Sequence, residues 1–134
     1  MEKRNILFVC RYNRFRSVIA EGIFNKLNKN KQFKAKSAGV IRGMPLSNNV
    51  KNLSKEIEIK SKPDGLSSKL MVWQNITIIV ADDVPPKLFD KNKKYGKKVI
   101  VWKIKDVEDN NIKSMKKISK KIETNIEKLI HDLT

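Results

Sequence analysis

Short hydrophobic stretches alternate with longer stretches in which apolar residues recur at helical spacing. The hydrophobic stretches, at residues 5–9, 33–37, 76–80 and 98–101, have the length and composition of strands. Between and after them come helical patterns at 16–29, 46–57, a short one at 87–90 behind Pro85-Pro86, and 111–133. The first places Ile19, Ile23 and Phe24 on one face. In the last, Ile112, Met115, Ile118, Ile122, Ile126, Leu129 and Leu133 recur every three or four residues, a single apolar stripe expected to pack on the core. The segment Lys60-Ser61-Lys62-Pro63-Asp64-Gly65-Leu66-Ser67-Ser68 is rich in turn formers and reads as a loop. Strands alternating with helices predict an α/β architecture, a parallel sheet with helices on both faces. No domain boundary, internal repeat or low-complexity tract interrupts the pattern, so residues 1–134 are expected to form one domain.

Ligands of such sheets bind beyond the carboxyl ends of the strands, and the most informative segment lies at one of them. The first strand runs into Cys10-Arg11-Tyr12-Asn13-Arg14-Phe15-Arg16-Ser17 and a helix follows at once. A helix N-terminus presents unpaired N–H groups and partial positive charge, which stabilise a bound phosphate and favour a thiolate over a thiol. Arg16 adds a planar guanidinium that can hold two phosphoryl oxygens, and Ser17 a hydroxyl within reach of the sulfur. Arg11 and Arg14 add positive potential. A lone cysteine at a strand end is ordinarily a small apolar residue. The joint occurrence of strand, Cys-x5-Arg-Ser and helix is what points instead to a nucleophile within a phosphate cradle.

With these residues the chain resembles the low-molecular-weight protein tyrosine phosphatase family, which includes related arsenate reductases. Cys10, Asn13, Arg16, Ser17, Ala20 and Glu21 match the family's phosphate loop and the start of its helix. Ser37-Ala38-Gly39 resembles its Ser-Ala-Gly after the second strand, and Trp102, Ile104 and Asp106 the approach to its general-acid loop. The resemblance implies a three-layer, phosphotyrosine phosphatase I-like fold with a four-stranded parallel sheet in the order 2-1-3-4. It also implies hydrolysis of phosphate monoesters, protein phosphotyrosine foremost, through a phosphocysteine, with no cofactor or metal. A phosphorylated protein or small phosphomonoester would be the partner, and phosphate or a sulfate-like oxyanion would occupy the loop. Two positions depart from the family: Tyr12 stands where glycine is usual, and Val107 follows Asp106 where proline is common.

In that scheme Cys10 attacks phosphorus, Arg16 and the loop from Arg11 through Ser17 hold the phosphoryl oxygens, and Asp106 protonates the leaving group. Asp106 also reads as a solvated acid or as an N-cap for the last helix, and Asp109 is near enough to substitute for it. Asp82 and Asp83 rank lower, since a carboxylate beside the loop would repel a dianion. Asn13 and Ser37 are expected to brace the loop, asparagine tolerating left-handed backbone better than most residues. Tyr12, Phe15 or Trp73 could grip a phenyl ring at the mouth, although Phe15 and Trp73 also suit the core.

Composition narrows these alternatives. Cys10 is the only cysteine, which rules out an internal disulfide and a cysteine-cluster metal site and suits a reducing compartment. Arsenate reduction that passes oxidising equivalents to further cysteines is likewise excluded, while coupling to an external thiol stays open. No run of about 18 apolar residues occurs and the N-terminal hydrophobic stretch is too short for a signal peptide, so a soluble, cytoplasmic protein without membrane association is expected. Thirty Lys and Arg against fourteen Asp and Glu give a formal charge of +16, densest at residues 91–98 and 113–121. Such a surface attracts polyanions, but aromatic residues are few and no nucleic-acid-binding motif accompanies the lysines, so solvated helix faces explain the charge better than nucleic acid or acidic lipid. A module that merely bound phosphate could dispense with Cys10 and an acid. Their presence favours an enzyme.

Overall fold

Strand β1, Arg4–Cys10, is apolar on both sides, and this puts it inside the sheet. Ile6 and Phe8 point to one face and Leu7 and Val9 to the other, and none of the four has accessible surface. The computed structural model describes residues 4–41, 45–53, 57–60, 62–108 and 111–133. In it β1 pairs in parallel with β2, Phe33–Gly39, on one side and with β3, Ile76–Val80, on the other. Strand β4, Lys98–Trp102, lies outside β3, so the order is β2-β1-β3-β4, as expected. The two inner strands are wholly buried or nearly so, whereas β2 alternates along its first half and β4 is only partly covered.

On one face lie α1, Arg16–Leu27, and α5, Ile112–Leu133, which pack on each other and on Ile6, Phe8, Ile76, Ile78 and Val80. Val50 of α2, Asn48–Leu53, joins the same core. The opposite face is covered by α3, Ser68–Trp73, the 3-10 turn Pro86–Phe89 and α4, Asp90–Lys94. There Leu7, Val9, Ile79, Val84 and Phe89 form a second core, with Leu70, Met71 and Trp73 packed against it.

Several elements differ from the sequence expectation for local reasons. Helix 46–57 is confined to Asn48–Leu53 among the described residues, and 54–56 lie outside them. The turn-rich stretch ending at Ser68 hides a helix start: the Ser67 hydroxyl accepts the N–H of Leu70 at 3.2 Å and opens α3. The 3-10 turn continues into α4 because Asn92, buried in a run of lysines, exchanges hydrogen bonds with the Gln74 amide at 2.9 and 3.1 Å. The last helix is capped by Asn111, whose side chain accepts the N–H of Ser114 at 3.1 Å, so Asp106 is not its cap. Its stripe begins one turn later than the spacing suggested: Met115, Ile122, Ile126 and Leu129 are buried, while Ile112 is 47% exposed.

All four strands end on one edge, and backbone bonds bring the following loops together. The N–H of Ala81 donates to Trp102 O and that of Asp82 to Ile104 O, both at 3.0 Å. Val40 N–H donates to Cys10 O at 3.1 Å and Ile41 N–H to Arg11 O at 2.9 Å. The segments after β1, β2, β3 and β4 therefore meet at one place.

Ile122 is completely buried where α5 meets the core. Ile122→Ala should lower stability by about 2–5 kcal/mol, seen as a fall in the urea midpoint at unchanged slope.

Candidate active site

The site is built from a hub of polar side chains under the loop between β1 and α1. Asn13 is the only described non-glycine residue with positive φ, at 55°, and its side chain is completely buried. Its Oδ1 accepts the backbone N–H of Asp64 at 2.8 Å, which fixes the amide's orientation. Its Nδ2 then donates to Ser17 Oγ at 2.7 Å and to Ser37 Oγ at 2.9 Å. Each hydroxyl, having accepted from Asn13, must send its own proton elsewhere. Ser37 donates to Glu21 Oε1, and Ser17 Oγ shares a hydrogen bond with Cys10 Sγ at 2.9 Å. The network thus extends from the asparagine to a carboxylate at one end and to the sulfur at the other.

The segment that supplies Asp64 is itself clamped. Lys60 Nζ donates to Ser37 O at 2.7 Å and to Asp64 Oδ2 at 3.1 Å, and lies 3.8 Å from Glu21 Oε1. Asp64 O accepts the N–H of Gly39 at 2.8 Å. Burial raises the Glu21 pKa above its ordinary 4.5, and the hydrogen bond from Ser37 and the charge of Lys60 offset this only in part.

Gly39 explains the third residue of the Ser-Ala-Gly motif. A Cβ there would lie 2.5 Å from the carbonyl carbon of Tyr12 and 2.7 Å from the nitrogen of Asn13, so the loop backbone rests directly on this glycine. Tyr12 needs no glycine conformation, because the left-handed residue is its neighbour. The side chain at the usual glycine position is accommodated outward, where the Arg11 guanidinium lies over the Tyr12 ring, 5.2 Å from its centroid.

Above the loop is a cavity of about 390 Å³ lined by Cys10, Tyr12, Arg14, Phe15, Arg16, Asp106, Val107 and Glu108. Phe15, the residue before α1, offers no side-chain cap, so the first N–H groups of the helix receive no hydrogen bond from it. Arg16 is buried, with 2% of its side chain exposed. Its Nη1 donates to Ile104 O at 3.0 Å and lies 2.9 Å from Asp83 Oδ1, and its Nη2 donates to Asp83 Oδ2 at 3.3 Å. Among the described residues Nε has no such bond, and Asp106 Oδ1 lies 3.7 Å from it. Burial by itself would lower the Arg16 pKa, but the hydrogen bond to Asp83 and the charges of Cys10, Asp106 and Asp83 outweigh it and the net shift is upward. The guanidinium stays charged.

Cys10, Tyr12, Arg14, Phe15, Arg16 and Asp106 thus meet in one cavity, with Asn13, Ser17 and Ser37 beneath it. Two expected members do not join it. Arg11 is exposed on the outside of the loop, and Trp73 lies across β2, lining a different cavity with Lys36 Nζ 4.7 Å from its ring centroid. Phe15 is buried, with 4% exposure, so it forms a wall rather than a rim. Asp83, expected from the sequence to repel a dianion, instead pairs with Arg16, and Lys60, Asp64 and Glu108 join the site with no local sequence signal that marks them. Only the Asp82-Asp83 pair just beyond a strand end hinted at a partner for a buried arginine. Asp109 lies outside the described residues. Among the described residues no group of three or more His, Cys, Asp or Glu side chains could hold a metal ion, and no helix is long and apolar enough to cross a membrane.

Comparison with known proteins agrees with this geometry. The sequence profile for the family described as low molecular weight phosphotyrosine protein phosphatase matches residues 5–134. Among solved structures, the low molecular weight protein tyrosine phosphatase of T. tengcongensis is 27% identical with a TM-score of 0.83, covering 96% of this chain and 99% of its own. The YwlE arginine phosphatase of Geobacillus stearothermophilus is 25% identical with a TM-score of 0.81, covering 97% and 92%. An arsenate reductase from Archaeoglobus fulgidus is 26% identical with a TM-score of 0.74, covering 94% and 98%. Among curated protein sequences none matches.

The raised pKa of Glu21 carries a signed consequence. A carboxyl whose pKa rises on folding holds its proton more tightly in the folded state. That stabilising contribution is complete below the ordinary value of 4.5 and is lost as pH climbs through the raised one. In urea unfolding followed from acid to neutral pH, Glu21→Gln should lack this loss, so the native protein should decline relative to the variant.

Proposed function

The chain belongs to the low-molecular-weight phosphotyrosine phosphatase family, and we propose that it hydrolyses phosphate monoesters, protein phosphotyrosine foremost, through a phosphocysteine. The observation that carries this reading is the convergence on one cavity of Cys10 and Arg16, at the two ends of the loop between β1 and α1, with Asp106 from the distant segment after β4. Cys10 attacks phosphorus as the thiolate, in line with the ester oxygen. The loop N–H groups and the Arg16 guanidinium take up the charge that spreads over the three equatorial oxygens. As the bond from phosphorus to the ester oxygen breaks, the Asp106 carboxyl gives its proton to the leaving alkoxide or phenoxide. Water then attacks the phosphocysteine, the Asp106 carboxylate accepts its proton, and inorganic phosphate leaves with the thiolate restored. Asp83 serves as a positioning residue: by holding Nη1 and Nη2 it turns the remaining guanidinium edge toward the cavity.

Tyr12 and Val107 supply apolar surface at the mouth, and Arg14 and Glu108 charge of either sign. Apolar surface at the mouth would pack on a phenyl ring, which supports phosphotyrosine as the leading monoester. Likeness to an arsenate reductase supports a second reading. With a single cysteine in the chain, such a reaction would need an external thiol as reductant.

The test is hydrolysis of a series of aryl phosphates by the native protein and two variants. Cys10→Ser should abolish turnover, and Asp106→Asn should slow it by roughly a hundredfold or more, most for leaving groups of high pKa. Turnover by Cys10→Ser would end the phosphocysteine reading. A native protein that binds phosphate without hydrolysing any ester would be a phosphate-binding module, and one that reduces arsenate with an added monothiol but leaves esters intact would favour the second reading.

A further inference from the structure

We propose that the cavity on the far side of β2 is a second ligand site, taking a small organic anion with a flat apolar body, and that its occupancy slows chemistry at the loop. At about 730 Å³ it is larger than the cavity over Cys10 and within the roughly 300–1,000 Å³ usual for small-molecule sites. One wall is apolar, formed by the Trp73 ring with Val40, Leu66 and Leu70. The rest carries three lysines, Lys36, Lys60 and Lys69, against the carboxylates of Glu21 and Asp64, an excess of one positive charge in a chain of net charge +16. An aromatic face beside an excess of ammonium groups selects a planar anion over a cation or a neutral ligand. Lys36 Nζ lies over the Trp73 ring at 4.7 Å, so the ligand's anionic group meets that ammonium beside the indole while its flat body packs along the remaining apolar surface of Trp73, Val40, Leu66 and Leu70.

The cavity is wired to the loop. Its floor includes Ser37, Glu21 and Lys60, and an unbroken hydrogen-bonded path runs from Glu21 through Ser37, Asn13 and Ser17 to the sulfur of Cys10. Lys60 holds both Ser37 O and Asp64 Oδ2, and Asp64 in turn fixes the Asn13 amide. An anion bound beside Lys60 competes with Asp64 for its N–H groups, slackens that clamp and disturbs the loop without entering the first cavity. Linkage makes the effect reciprocal: an oxyanion in the loop weakens the second ligand by the same factor.

Calorimetry with 2-naphthoate and 2-naphthalenesulfonate, a planar and a tetrahedral anion on one apolar body, measures the site directly and needs no turnover. Binding by either probe that weakens about tenfold or more in Lys36→Glu, and likewise in Trp73→Leu, supports the site. Lys36 is exposed and does not line the cavity over Cys10, so basal hydrolysis by Lys36→Glu should match the native protein. In aryl phosphate hydrolysis the bound probe should raise KM and lower kcat together, a mixed pattern that follows from weakened oxyanion binding and a disturbed loop. Absence of binding, affinity unaltered in Lys36→Glu, or purely competitive inhibition would each overturn the proposal. The coupling rests on the phosphatase reading. Should the protein prove inactive toward esters, the coupling is read instead as a fall in the loop's affinity for inorganic phosphate when the probe is present, and an unchanged affinity refutes it.

Discussion

Everything at the candidate site hangs on the side-chain amide of Asn13. Its one oxygen and two N–H bonds each have one partner, and those partners come from α1, from β2 and from the segment after residue 62. No other residue type suits the position. Aspartate lacks the donors, glutamine is a methylene too long, glycine has no side chain, and few residues other than asparagine accept a φ of 55°. Because the amide is completely buried, losing any partner strands a polar group at a cost of about 1–3 kcal/mol. The loop is therefore held by all of its braces together. That cooperation keeps a backbone with a left-handed residue at Asn13 from relaxing into an ordinary turn.

Arg16 poses the opposite problem, a charge that must be buried and still remain available. A guanidinium with 2% of its side chain exposed is tolerable only with anionic partners, and Asp83 supplies the main one, with Asp106 next. Those carboxylates repel a dianion. The positive potential of the whole chain, the N-terminus of α1 and Arg14 at the cavity wall act against that repulsion. The lysine excess, whose attraction for polyanions is legible in composition, acts in the same sense at a cavity that contains acids.

The sheet was legible because its signals are local. Continuous apolar runs mark β1 and β3, the three-and-four spacing marks α5, and the change from strand to helix around Cys10 marks the loop. What stayed hidden depends on partners distant in the chain. Arg16 meets Asp83 across 67 positions, and Asp64 meets Asn13 across 51, and nothing in either neighbourhood announces the other. The short helix α3 escaped for a different reason. Six residues cannot establish a periodicity, and its capping serine sits in a stretch that turn formers dominate. Trp73 was assigned to two alternatives by its chemistry alone, and only the register of β2 beside it decides that it serves a cavity on the other side.

Tyr12 and Gly39 together show how a steric requirement is shared between segments. Tyr12 stands where the family usually has glycine. The curvature is instead supplied one residue later, at Asn13, where left-handed backbone and the bracing amide coincide. Room for the backbone is supplied by Gly39, at the end of the neighbouring strand, whose missing side chain lets the chain at Tyr12 and Asn13 pass where a Cβ would collide with it, 2.5 Å from the Tyr12 carbonyl carbon. Once those two positions are met, the residue at 12 is free to carry a side chain. The loop's geometry is set from β2 as much as from its own sequence, and the second loop position becomes one at which the mouth of the cavity can be altered without altering the cradle.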